Sequence, residues 1–162
     1  MGWLSRFWHI AGGTCPACGE NLVPAQVAEV RGVADTVTVT LANLPYRACP
    51  NGHGERHYPS RTFPLQLVRA LLGGQQYPGT VTDQQGQLSC IHCRRPLGNP
   101  PVTGTPVAGD VTLSGVPSFH LTIAGSTVTC PYCKTDQVVI GSGEHPVSRA
   151  LQAAFDEAQL RP

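Results

Sequence analysis

The sequence predicts a small, mainly β fold stabilised by metal, built as two tandem modules that are each followed by a short α-helix. Three observations predict it: cysteines that come in tight pairs, segments of alternating β-branched residues between those pairs, and a single repetition of the whole pattern.

The composition sets the frame. Of the 162 residues, 13% are charged and 6% aromatic, while 18 glycines and 15 prolines make the chain rich in turns. With 41% apolar residues and a net charge of +1, disorder is excluded, and short strands joined by tight turns are the fitting alternative. A core this thin only just offsets the conformational entropy of folding, roughly 1.5 kcal/mol per ordered residue, so a further constraint is needed. Seven cysteines supply it. Residues 1–13 lack the charged start and long apolar run of a secretory signal, and no apolar stretch reaches the length of a membrane span. A cytoplasmic location is therefore expected, where paired cysteines are read as metal or redox sites rather than disulfides.

The spacing favours metal. TCPAC at 14–18, SCIHC at 89–93 and TCPYC at 129–133 are C-x2-C pairs, and CPNGH at 49–53 offers one cysteine with a histidine four residues on. A C-x2-C turn presents two thiolates to one ion, and a second such turn completes the tetrahedral set of S or N ligands that zinc requires. No cysteine is left over. Cys15, Cys18, Cys49 and His53 make one predicted Zn2+ site, and Cys90, Cys93, Cys130 and Cys133 the other. His57 is the competing ligand for the first site. A three-ligand site with water in the fourth position and Glu55 as base would be the catalytic alternative, and the all-cysteine second site argues against it.

Between the cysteine pairs the period is that of strands. Residues 36–41 (TVTVTL) alternate, as does DVTLSGVPSFHLTIAGSTVT within 94–129, where Gly115 and Gly125 act as breakers. Each module then closes on a helix. Residues 64–72 carry Pro in the first turn and Gly73-Gly74 past the end, and residues 146–160 place Val147, Ala150, Leu151, Ala154, Phe155 and Ala158 on one face. Corresponding first cysteines lie 75 residues apart and the third ligands, Cys49 and Cys130, 81 apart, which puts the extra residues in the second module's hairpin. The expected divisions are an amphipathic aromatic segment at 1–12, a first module at 13–73, a polar linker at 74–87 and a second module at 88–162.

These motifs resemble a zinc ribbon. The first module also resembles the YgiT-type zinc finger at the front of some bacterial antitoxins. The matching pieces are Cys15-Pro16-Ala17-Cys18-Gly19, Asn43-Leu44-Pro45 and Cys49-Pro50-Asn51-Gly52-His53-Gly54-Glu55. The resemblance implies ligand roles for Cys15, Cys18 and Cys49. His53 stands where the family has cysteine, one residue further along. Those antitoxins continue into a DNA-binding helix-turn-helix, whereas this chain continues into a second ribbon-like module.

Function is then a choice among three classes. Thioredoxin-like redox chemistry needs one C-x-x-C at a helix start in a βαβ unit, which the pattern does not offer, and no P-loop, nucleophile elbow or dinucleotide fingerprint is present. The leading expectation is a non-enzymatic protein-interaction module, an adaptor or regulator in a bacterium, with a protein partner. The alternative is a nucleic-acid-binding accessory protein. It is supported by ten arginines to one lysine, with small groups at Arg56/Arg61/Arg69 and Arg94/Arg95, and opposed by the overall charge. Seven thiolates and two Zn2+ ions turn the formal +1 into −2. His9, His92, His120 and His145 share no ligand spacing. Finally, Trp3, Leu4, Phe7 and Trp8 fall on one helical face, to dock internally, on a partner, or weakly on a membrane surface.

Overall fold

The computed structural model describes residues 13–72, 81–82, 87–90, 92–98, 102–103, 105–138 and 146–161. The aromatic segment at 1–12, with Trp3, Leu4, Phe7, Trp8 and His9, lies outside them, as do His145 and most of the 74–87 connection. Strands dominate, and a helix follows each cysteine-rich region, as the sequence predicts.

The first hairpin is β1 (Val23–Ala34) and β2 (Val37–Ala48), joined by a turn in which Asp35 takes a left-handed φ of 53°. Val37, Val39 and Leu41 are buried while Thr38 and Thr40 between them are half-buried, which is the period-2 alternation of TVTVTL. Asn43, at φ 57°, resets that alternation so that Leu44 is again fully buried. A two-residue strand, β3 (Arg56–His57), leads to helix α1 (Phe63–Leu72). β4 (Val81–Thr82), in the predicted linker, pairs with β5 (Leu88–Ser89) at the start of the second module. Then follow β6 (Val102–Thr103), the second hairpin β7 (Val107–Leu113) and β8 (Val116–Ala124), β9 (Thr127–Thr129), β10 (Asp136–Val138), helix α2 (Pro146–Glu157) and β11 (Leu160–Arg161).

The two hairpins form one sheet. β2 carries β1 along one edge, and on its other edge it pairs antiparallel with β8 over Thr38–Ala42 and with β3 at Arg47–Ala48. This junction buries Val39 against Ile123 and Leu41 against Leu121. The helices then cross over: α2, from the second half, packs on β1 and β2, and α1, from the first half, rests against β7. Both lie on the same face, where Phe63 meets Phe119 at 5.8 Å and Phe155 at 5.7 Å between ring centroids. Tyr58 stands 6.0 Å from Phe155, so an aromatic cluster sits within the core.

Two expectations are corrected. Helix α2 stops at Glu157, short of 160, because Gln159 turns left-handed (φ 57°) and releases Leu160–Arg161 to pair in parallel with Arg56–His57. The extra residues of the second module also do not all lie in its hairpin. Asp35 follows Cys18 by 17 residues and Ser114 follows Cys93 by 21, so four precede the hairpin turn. The other two fall where Gly125-Ser126 separates β8 from β9.

Candidate metal centres

The first site is assembled from two turns on either side of the β1–β2 hairpin. Residues 14–21 form a tight loop closed by a bridge between Thr14 and Asn21, with the Gly19 N–H donating to the Cys15 carbonyl at 2.8 Å. Gly19 adopts φ 75°, a value that glycine reaches without strain. The second turn follows β2 directly, with the Gly52 N–H donating to the Cys49 carbonyl at 3.1 Å. Because the hairpin strands pair from Val23–Ala48 onward, the two loops meet at its open end.

There Cys15, Cys18, Cys49 and His53 bring their ligand atoms within 4.8 Å of one another. Cys18 Sγ lies 3.5 Å from Cys49 Sγ, and His53 Nδ1 lies 3.3 Å from Cys49 Sγ and 3.7 Å from Cys15 Sγ. His57, the competing ligand, is instead in β3, with Nε2 3.9 Å from a Glu55 carboxylate oxygen. A cleft of about 420 Å³ runs alongside, lined by Cys15, Pro16, Ala17, His53, Glu55 and His57 among others.

The second site repeats the construction. Arg94 N–H donates to the Cys90 carbonyl at 2.9 Å and Lys134 N–H to the Cys130 carbonyl at 3.0 Å, closing two matching loops. Cys90, Cys93, Cys130 and Cys133 converge within 4.8 Å, with Cys90 Sγ to Cys133 Sγ at 3.5 Å and Cys93 Sγ to Cys130 Sγ at 3.7 Å. None of these contacts is a disulfide, whose sulfurs stand about 2.05 Å apart. Thiolates around one tetrahedral ion at about 2.3 Å stand about 3.8 Å from each other, which is close to the spacing found.

The electrostatics of both clusters fit a cation at the centre. Cys18 is lowered to about 6, first by its backbone hydrogen bond at Glu20, against the opposing effect of burial. Burial raises its neighbour Cys49. Burial also pushes Cys90 up, but backbone N–H groups of Cys93 and His92, each 3.4 Å from its sulfur, outweigh that and bring it to about 6. Cys93 goes the other way: its backbone bond at Arg95 lowers it, yet burial and the thiols of Cys90 and Cys130 carry it up to about 11. Three thiols beside a histidine in the first cluster, and four thiols in the second, cannot all ionise so close together without a positive charge between them, and a divalent cation removes the conflict.

One residue that sequence reasoning missed supports the second site. Gln137 is fully buried, and its Nε2 donates to Cys90 Sγ at 3.1 Å. A polar residue one strand beyond the last cysteine carries no motif, and its inward position becomes visible only once β10 pairs with β9. Of the remaining histidines, His92 is exposed inside its loop, and His120 Nδ1 lies 2.9 Å from the Asp110 carboxylate on the sheet.

Comparison with protein-family models, curated proteins and solved structures finds no match for this chain. The YgiT-type resemblance of the first module therefore stands on the residues quoted for it. Among the described residues, no helix is long and apolar enough to cross a membrane.

Proposed function

We propose that the chain binds two structural Zn2+ ions and works as a non-enzymatic interaction module, an adaptor or regulator of the reducing cytoplasm. The observation that carries this reading is that both donor sets are complete, four ligand atoms each, and one is entirely thiolate. A catalytic zinc keeps a position open for water or substrate, and a complete shell has none. Thiolate-rich tetrahedral sites select zinc or iron, and the histidine of the first set favours zinc. Binding on the scale of zinc-finger peptides, roughly 10–16 kcal/mol, is ample to hold a domain with a modest core.

Surfaces not used by the core support the interaction role. Both helices cover one face of the sheet, and among the described residues no helix covers the other. That open face carries half-buried Thr38, Thr40 and Thr122 at the strand junction. Removal of metal with a strong chelator tests the structural role. The expected result is loss of β-sheet circular dichroism and of protease resistance; a sheet that survives without metal would contradict it.

A second reading, nucleic-acid binding, is favoured by exposed Arg94, Arg95 and Lys134 beside exposed Tyr132 at the second site. The metal-enzyme reading draws on the cleft beside His53 and Glu55. It requires a specific activity lost in His53→Ala or Glu55→Ala while the sheet stays folded.

A further inference from the structure

The two metal sites have diverged in what they present to solvent. Around the first, exposed positions next to the ligands hold Gly19, Glu20, Asn51 and Glu55. Around the second they hold Arg94, Arg95, Tyr132 and Lys134. The backbone makes the difference pointed. The residue after a C-x2-C pair sits in the left-handed region, and in the first site it is glycine, Gly19 at φ 75°. In the second site the equivalent positions are Arg94 at φ 61° and Lys134 at φ 60°. Side chains are disfavoured there, so two cations occupy places where the local backbone prefers glycine. Strain tolerated in this way at a surface turn points to a use for the side chains.

The third cation completes a platform. The Arg95 guanidinium lies 4.9 Å from the centroid of the Tyr132 ring, and Tyr132 is 55% exposed. Such an aromatic and guanidinium pair offers flat surfaces on which an unstacked base can lie. Three exposed cations balance the two negative charges of a tetrathiolate holding a divalent ion together with the carboxylate of Asp136, and Arg94 and Lys134 stand exposed for phosphate. Asp136, the nearby acid on β10, accepts a hydrogen bond from Thr129 Oγ1 at 2.6 Å. Arg56, from the other basic group in the sequence, is engaged in the fold. It donates to the Ala158 carbonyl at 3.0 Å and stacks 5.1 Å above Tyr46.

We propose that the tip of the second metal site is a docking surface for single-stranded nucleic acid. Arg94 and Lys134 hold backbone phosphates, and Tyr132 with Arg95 stacks a base. This rests on the nucleic-acid reading above and assigns it a place and a ligand form. An acidic peptide would pair with the cations and leave the tyrosine face without a role. A duplex keeps its bases stacked and out of reach of Tyr132.

The test is fluorescence anisotropy of the full-length, zinc-loaded chain with short labelled oligouridine, oligothymidine and a duplex of equal length, across a salt series. Two phosphate contacts predict a log–log salt slope of about −1.4 for a single strand. Tyr132→Ala is expected to weaken binding by about tenfold, the scale of one lost stacking contact. The double variant Arg94→Gly, Lys134→Gly should lose most of the affinity and its salt dependence, while its melting temperature rises and two zinc ions remain bound. Loss of binding together with gained stability is a signature that a merely structural role would not give. Oligonucleotide binding untouched by these variants overturns the surface assignment and leaves the nucleic-acid reading standing. Absence of binding to either single strand overturns both. Duplex binding as tight as single-strand binding, or stronger binding of polyglutamate, also overturns the proposal.

Discussion

Leu41 and Leu121 stand directly opposite each other where the two hairpins meet, and both are fully buried. The pair belongs to different halves of the chain, yet it lies at the middle of one sheet. With α2 packed on the first hairpin, neither half keeps its core to itself.

Leu121→Ala is therefore expected to destabilise the whole chain rather than its second half, by about 2–5 kcal/mol. Urea unfolding should show a single transition by circular dichroism and by tyrosine fluorescence. Two separated transitions would mean that the halves fold apart.

The same junction sets what loss of the second metal does. Cys130→Ser removes a buried ligand. Because β9 follows β8 across Gly125-Ser126, and β8 pairs with β2, the damage should reach β2. Amide exchange at Val39 and Leu41 is the measurement, and faster exchange at both is the expected outcome.

Gly32 in β1 lies against the backbone of α2. A Cβ there would collide with the Ala150 carbonyl oxygen and the Ala154 nitrogen, both backbone atoms that cannot swing away. Gly32→Ala should displace the helix and cost roughly 1–3 kcal/mol or more, the range of overpacked cores, read as a lowered denaturant midpoint.

Gln137→Leu keeps the volume near Cys90 and removes the donor to its sulfur. Partners of metal ligands typically contribute 10–100-fold to affinity. Competition with a chromophoric chelator should show one zinc leaving more readily by about that factor, with the first site unchanged.

Arg94→Gly and Lys134→Gly each relieve a left-handed side-chain residue. Each is expected to stabilise the chain by about 0.5–1 kcal/mol, measured by thermal unfolding, since glycine adopts this conformation freely.

The local features were legible in the sequence because they obey short periods. TVTVTL announced β2 by its alternation, the apolar face of 146–158 announced α2, and the C-x2-C spacing announced both ligand sets. Long-range features left no such trace. The pairing of Thr38–Ala42 with His120–Ala124 joins two strands of similar character, and nothing in either names its partner. The crossing of the helices likewise depends on Gly32, a single residue whose meaning appears only when Ala150 lies against it. Leu160 continues the helical pattern of the sequence, although Gln159 turns it into a strand beside Arg56. Gln137 shows the same limit at the metal site: its contact to Cys90 spans 47 positions.

Native mass spectrometry of gently purified protein tests the central claim most directly. The account predicts a chain carrying two zinc ions, with all seven cysteines free of disulfide bonds, that loses its sheet when both ions are removed. A metal-free folded chain, or one whose mass shows the cysteines oxidised in pairs, would contradict it.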